Sequence, residues 1–266
     1  MRLLAQGHEP EVGDTLGEVL EKEGIKVISR ASVRSVRQDE NRVVVKAQSG
    51  DQTRELRAEK LLVATGRKPN SDKIAIEKAG VEVGSKGQVC VDEFLRTNVP
   101  HIYAAGDVIG SQMATPVGSQ DGGIAAHNAF SSELRRVDHR VIPRTIFTDP
   151  QVATVGVTEE EAIEAGHRSW RSVVPMSLVP RAVAIRDTAG MIKMVADADT
   201  EEVLGVSMVG NSAGEVIHEA AVGLRFKAKI SDFRDLLHVF PTMAEALKIV
   251  AISRRKDPAK LSCCAE

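Results

Sequence analysis

Thr97-Asn98-Val99-Pro100-His101-Ile102-Tyr103-Ala104-Ala105-Gly106-Asp107 is the stretch on which the fold of this chain turns. An apolar run, Ile102 to Ala105, passes through Gly106 and stops on a carboxylate, Asp107. Small residues at the end of a buried strand let backbone approach a ligand closely. The crevice beyond strand ends is where open α/β sheets hold cofactors. Ala-Ala-Gly-Asp alone would also describe an ordinary strand and turn; the longer string is more specific. Downstream, Met113-Ala114-Thr115-Pro116 opens a helix expected over about 116–134, with Pro in the first turn. Upstream stands a second compact motif, Ala64-Thr65-Gly66-Arg67-Lys68-Pro69-Asn70.

Further out, Glu11 to Glu23 has helical spacing, with Leu16, Val19 and Leu20 on one face and Gly24 as its stop. Strands are expected at Ile25–Ile28, Ala31–Arg37, Arg42–Ala47, Glu55–Ala58 and Leu61–Val63, and two short ones between Val89 and Asp107. After Pro143 the order changes. Strand-like segments at Thr145–Phe147, Val152–Val155, Arg171–Val174, Met191–Val195 and Val203–Val209 precede helical ones at Gly214–Phe226 and Thr242–Ile252, an α+β order. Thr158 with Glu161 three residues on has capping-box spacing.

The expected fold class is therefore an α/β remnant followed by an α+β domain with an antiparallel sheet and helices. Neither Gly-x-Gly-x-x-Gly nor any Cys-x-x-Cys or Cys-x4-Cys spacing occurs, and an α/β domain normally opens on its central strand and phosphate-binding turn. The expectation is a chain that starts part-way through a longer protein.

The chain has 266 residues, 42% of them hydrophobic, and a formal net charge of -2, so it carries no overall cationic excess for nucleic acid or anionic lipid. No apolar run approaches the roughly 20 residues of a membrane span, and no signal peptide is evident, which reads as cytoplasmic. Three cysteines, two adjacent, do not make a secreted disulfide framework.

The two quoted motifs, in this order and spacing, resemble signatures of the pyridine nucleotide-disulfide oxidoreductases. The resemblance implies a flavoprotein with two dinucleotide-binding domains and a dimerisation domain. Residues 1–68 would be the end of the NAD(P)-binding domain, 69–142 the end of the FAD-binding domain, 143–258 the dimerisation domain and 259–266 a Cys-Cys tail. Ile142-Pro143-Arg144, Phe147-Thr148-Asp149-Pro150 and Val155-Gly156 are similar to the opening of that last domain. The implied cofactors are FAD and NADPH, with Gly106, Asp107, Met113, Ala114 and Thr115 at the flavin. Asp107 would bond the ribityl chain, and the positive end of the following helix would face the anionic edge of the reduced ring. Arg2 lies near where a 2′-phosphate contact would be.

In the family's disulfide reductases a His-Pro-Thr string supplies the general base, paired with a downstream Glu. Here the string is His238-Val239-Phe240-Pro241-Thr242, followed by Glu245, so Phe240 stands at the imidazole position. A phenyl ring moves no proton. His238, two residues upstream, is read as structural, as is the lone Cys90. Within the family, the chain is most similar to mercury(II) reductases, on account of Lys260-Leu261-Ser262-Cys263-Cys264-Ala265-Glu266.

Thiolate is the soft ligand that Hg(II) prefers, and a pair can pass the ion on by ligand exchange. Cys263 and Cys264 are thus the expected metal ligands, with Phe240 and Glu245 completing the catalytic set. Taken alone, the pair is equally open to inert thiols, a strained vicinal disulfide or a displaced prenylation signal. The resemblance implies NADPH-driven reduction of Hg(II) to Hg(0) by a homodimer, as in mercuric resistance. A dihydrolipoyl dehydrogenase relative and a non-catalytic, dimerising metal-binding module are the alternatives.

Overall fold

The computed structural model describes residues 4–5 and 7–260. They form two compact units: one from the residues up to Leu61 together with those from Arg140 on, the other from Leu62–His139.

The centre of the first unit is a five-stranded antiparallel sheet. Its strands are β4 (Arg144–Ile146), β5 (Gln151–Gly156), β6 (Ser169–Pro175), β7 (Met191–Asp197) and β8 (Val203–Gly210), in the order β4-β5-β8-β7-β6. Alternation along β7 assigns its two faces. Ile192, Met194 and Ala196 point into the main core with Val206 and Met208 of β8. There they meet α5 (Ala213–Arg225), α6 (Ile230–Asp235) and α7 (Glu245–Ile252), through Ile217, Ala220, Phe233, Leu247 and Val250. Full burial of each Ile, Leu, Val, Met or Phe side chain there is worth about 1.5–3 kcal/mol. The expected α+β order and antiparallel sheet are those observed. Two short helices were not legible, α4 (Pro180–Ala184) and α6, each under two turns long. The capping box forms as expected: Thr158 Oγ1 accepts from Glu161 N–H at the start of α3 (Glu159–Glu164), and Glu161 accepts from Thr158 N–H.

The other face of the sheet is covered by α1 (Pro10–Lys22), whose Val12 and Leu16 pack on Val152, Met191 and Val209. Between these apolar contacts β7 presents Lys193, with only 1% of its side chain exposed. Its Nζ donates to Glu9 at 2.9 Å, Glu11 at 3.0 Å and Glu159 at 3.2 Å. Arg171 of β6 joins Glu11 and Glu159, each at 3.1 Å. Glu9 also accepts the Glu159 N–H at 2.8 Å. A buried cation persists only when so surrounded. Burial works against the charge on Lys193, but the Glu9 and Glu11 carboxylates outweigh it and hold the ammonium above the ordinary lysine pKa. The same unit carries an antiparallel meander of β1 (Ala31–Asp39), β2 (Arg42–Ser49) and β3 (Gln52–Ala58), in which Val33 and Val36 are exposed.

Three expectations fail here. Ile25–Ile28 and Leu61–Val63 are not strands, because no strand among the described residues lies beside either to take its hydrogen bonds. Between Val89 and Asp107 there are only isolated bridges, Val83 with Val89 and Arg96 with Tyr103, in place of two strands. Side chains have taken over the pairing in that segment: Asp92 accepts the N–H groups of Phe94 and Arg96. Finally, α2 (Thr115–Phe130) stops short of Leu134. The buried Asn128 bonds both the N–H and the carbonyl of Arg135, which turns the chain back on the helix.

Among the described residues, no helix is long and apolar enough to cross a membrane.

Candidate functional site

Within the second unit, Thr97 fixes the approach to Gly106. Its Oγ1 donates towards Ile102 O at 2.9 Å, and its N–H bonds the same carbonyl, closing a turn over residues 97–102. Ala104 N–H then pairs with Leu95 O, leading Ala104 and Ala105 into a small core of Leu95, Ile109 and Ala125. Ala105 is extended, but Gly106 turns at φ +76° into a 3-10 turn, Gly106–Ile109. A side chain at Gly106 would be strained there. A Cβ on Gly118 of α2 would lie 3.3 Å from the Gly106 Cα. The two glycines thus let the turn rest on the helix backbone to backbone.

The helix itself starts without a side-chain cap. Ala114, extended, is the N-cap, Thr115 opens α2 and Pro116 follows. The first-turn N–H groups of such an end have no intrahelical partner and favour negative charge. Beside this end stands Arg67, from the upstream motif. Its Nη2 donates to Met113 O at 2.6 Å, and its Nη1 lies 3.4 Å from the Asp107 carboxylate. One guanidinium therefore joins the upstream motif to Asp107 and to Met113. Asp107 keeps 52% of its side chain exposed. An exposed pair at that distance is weak. The carboxylate can therefore exchange it for a hydroxyl donor.

Arg67 was not among the sequence-predicted site residues. Its signal was a cationic pair, Arg67-Lys68, between Gly66 and Pro69.

The second group of predicted residues lies in the first unit. Phe240 is 53% exposed, and Glu245 accepts the Thr242 N–H at 3.0 Å, bracing the turn that leads into α7. Among the described residues no imidazole is hydrogen-bonded to Glu245. His238 points elsewhere, its Nε2 3.0 Å from Glu219 and its side chain 5% exposed. Cys90 is free and half-buried. Among the described residues no three His, Cys, Asp or Glu side chains are grouped to hold a metal ion. The predicted ligands Cys263 and Cys264, and Arg2, lie outside the described residues.

The pyridine nucleotide-disulphide oxidoreductase model matches residues 1–129, and the dimerisation domain model of the same family matches residues 142–251. The chain belongs to the pyridine nucleotide-disulphide oxidoreductases. Its relatives include mercuric reductases: that of Bacillus cereus is 40% identical over 99% of this chain, and that of Staphylococcus aureus 38% identical over 98%. The alignments cover 42% and 48% of those proteins, so the chain spans about half the length of the curated relatives it matches. Among solved structures, the HOCl-induced flavoprotein disulfide reductase RclA from Escherichia coli superposes with a TM-score of 0.85. It is 29% identical, over 96% of this chain and 57% of that one. LpdA from Mycobacterium tuberculosis, at 24% identity and a TM-score of 0.81, shares the fold.

Proposed function

We propose that these residues are the C-terminal portion of a mercury(II) reductase, in which NADPH and FAD reduce Hg(II) to Hg(0). The observation that carries this reading is the Cys263-Cys264 pair on a chain 36–40% identical to mercuric reductases over nearly its whole length. The overall reaction balances as NADPH + Hg(II) giving NADP+, Hg(0) and a proton, two electrons passing from hydride to metal. Bound FAD supplies that redox relay.

The chain's own residues fit an FAD edge. Asp107 would accept a hydrogen bond from a polyol hydroxyl, Gly106 would let backbone approach it, and Met113, Ala114 and Thr115 would set the positive end of α2 against negative charge. Arg67 acts as a positioning residue, holding Asp107 and Met113 in register.

In this reading Cys263 and Cys264 take Hg(II) from solvent as thiolates and hand it on, each exchange keeping two sulfur ligands on the metal. Phe240 presents an apolar wall where a disulfide reductase needs a base, so thiol protonation is not served there. Glu245 braces that wall through Thr242.

The division 1–68, 69–142, 143–258 and 259–266 assigns these parts to NAD(P)-binding, FAD-binding, dimerisation and metal delivery. The exposed Phe226, Leu237 and Val239, the last two flanking His238, support a homodimer through the third part. Turnover belongs to a polypeptide that also supplies a phosphate-binding turn and a second thiol pair, and these residues alone would not turn over.

The test is the Cys263→Ser/Cys264→Ser variant of a full-length protein carrying these residues, assayed for Hg(II)-dependent NADPH oxidation under excess competing thiol. Delivery by the pair predicts a large loss. Unchanged turnover would sink it.

A further inference from the structure

Beyond α6, Leu237 and Val239 are exposed, whereas the side chain of His238 between them is buried. The segment turns one polar ring inward and two apolar side chains outward. Inside, each ring nitrogen meets an oxygen. Nε2 lies 3.0 Å from a Glu219 carboxylate oxygen on α5, and Nδ1 lies 3.3 Å from the Leu236 carbonyl. A carboxylate and a carbonyl accept and do not donate, so a proton on each nitrogen completes both bonds. A neutral ring carries one proton. Given to the Glu219 carboxylate, the stronger acceptor, it leaves a lone pair on Nδ1 facing the Leu236 oxygen, and the two repel.

Charged groups on the neighbouring elements have other engagements. On α7, Lys248 Nζ reaches the Leu236 carbonyl at 3.4 Å, and Glu245 accepts the Thr242 N–H. On α6, Arg234 and Asp235 pair with each other, both contacts at 2.7 Å. On α5, Glu215 and His218 lie within about one turn of Glu219.

The ring also sits beside an apolar face. Val222 and Phe226 follow Glu219 by three and seven positions, hence on its side of α5, and both are exposed. Residues 142–251 match a dimerisation domain, so a second copy of this chain is the occupant that suits the face. A segment already held in place loses less freedom when a partner docks on it.

We propose that His238 is a proton-dependent latch for self-association. Protonated, it holds residues 236–240 on α5 with Leu237 and Val239 presented to the second copy; on losing a proton to solvent it loosens them. Its effect on pairing rests on the homodimer reading above, and its hold on the segment does not.

Sedimentation of this chain measures the dimer dissociation constant between about pH 6 and about pH 8, where histidine changes charge. The constant should rise about tenfold as pH rises, the order expected for one hydrogen bond to a charged group. His238→Gln should abolish that response, and His218→Gln, which removes the neighbouring imidazole, should leave it intact. Glu219→Gln keeps the shape but not the charge, and should move the response to lower pH. A constant that ignores pH, or one that responds equally in His238→Gln, would overturn the coupling to pairing. NMR of the same samples follows the ring nitrogens of His238 and the amides of Leu237 and Val239. Both nitrogens should be protonated at the lower pH, with the amides shifting as the ring loses its proton. A ring singly protonated throughout would overturn the latch. A chain monomeric at every pH, with the amides still following the ring, would sink the homodimer reading and leave the latch standing.

Discussion

Lys193→Met should be among the most damaging single changes in the first unit. Methionine fills the lysine's space without its charge, so the loss isolates the ionic cluster between β7 and α1. Glu11 and Glu159 would retain Arg171 at 3.1 Å and some water. Glu9, 3% exposed as a side chain, would keep only the Glu159 N–H for its charge. Removing one partner from a buried pair costs about 3–5 kcal/mol, and the surviving hydrogen bond places this case near about 3 kcal/mol. Adding Glu9→Gln should return part of that, since the most deeply buried of the three carboxylate charges is then gone. Urea unfolding of the chain, followed by circular dichroism, measures the difference. A Lys193→Met chain within about 0.5 kcal/mol of wild type would refute the argument. It would mean that the apolar contacts of Val12 and Leu16 hold α1 unaided.

The cluster also has a pH window. Burial raises the Glu11 pKa, but its own backbone hydrogen bond and the charges of Lys193 and Arg171 bring it below the ordinary value. Its contribution is therefore present above the unfolded value of about 4.3 and lost as pH falls through the folded one. Lys193, shifted upward, contributes below about 10.4 and loses that as pH rises further. The Lys193→Met difference should stay flat between these limits when unfolding is repeated across pH. His8 behaves differently: burial, then the nearby Arg144 charge, lower its pKa, and Thr154 bonds its Nδ1. Stability should fall as pH drops below about 6.5, and His8→Gln should flatten that fall in the same unfolding series. Asn128→Ala removes three part-buried hydrogen bonds to loop backbone and should cost about 2–4 kcal/mol by thermal or urea unfolding. In a full-length protein Gly118→Val, which drives side-chain atoms into Gly106, should lower flavin content measured by absorbance, while Phe240→Ala should leave it unchanged.

The fold was legible where residue period and burial agree. Strands β7 and β8 announce themselves as runs rich in Val and Met that the sheet buries on both faces. The edge segments Ile25–Ile28 and Leu61–Val63 have the same composition but no neighbour among the described residues, and composition does not report a neighbour. At the site, Gly106, Asp107 and the start of α2 could be named from backbone arguments, because glycine, proline and a helix start constrain local geometry. Arg67 could not be, since nothing local says that a side chain 40 positions before Asp107 will meet it. Lys193 was overlooked for the same reason: its partners Glu9 and Glu11 are more than 180 positions away. The lone charge inside Met191–Val195 was the hint.

The most direct measurement is NADPH oxidation by a full-length protein carrying these residues, with Hg(II) under excess thiol or, separately, with a dithiol's disulfide as the only acceptor. The assignment of Phe240 and the Cys263-Cys264 pair predicts rapid oxidation with Hg(II) and almost none with the disulfide. Fast disulfide reduction with no response to Hg(II) would contradict it, and would place the protein with the disulfide reductases of its family.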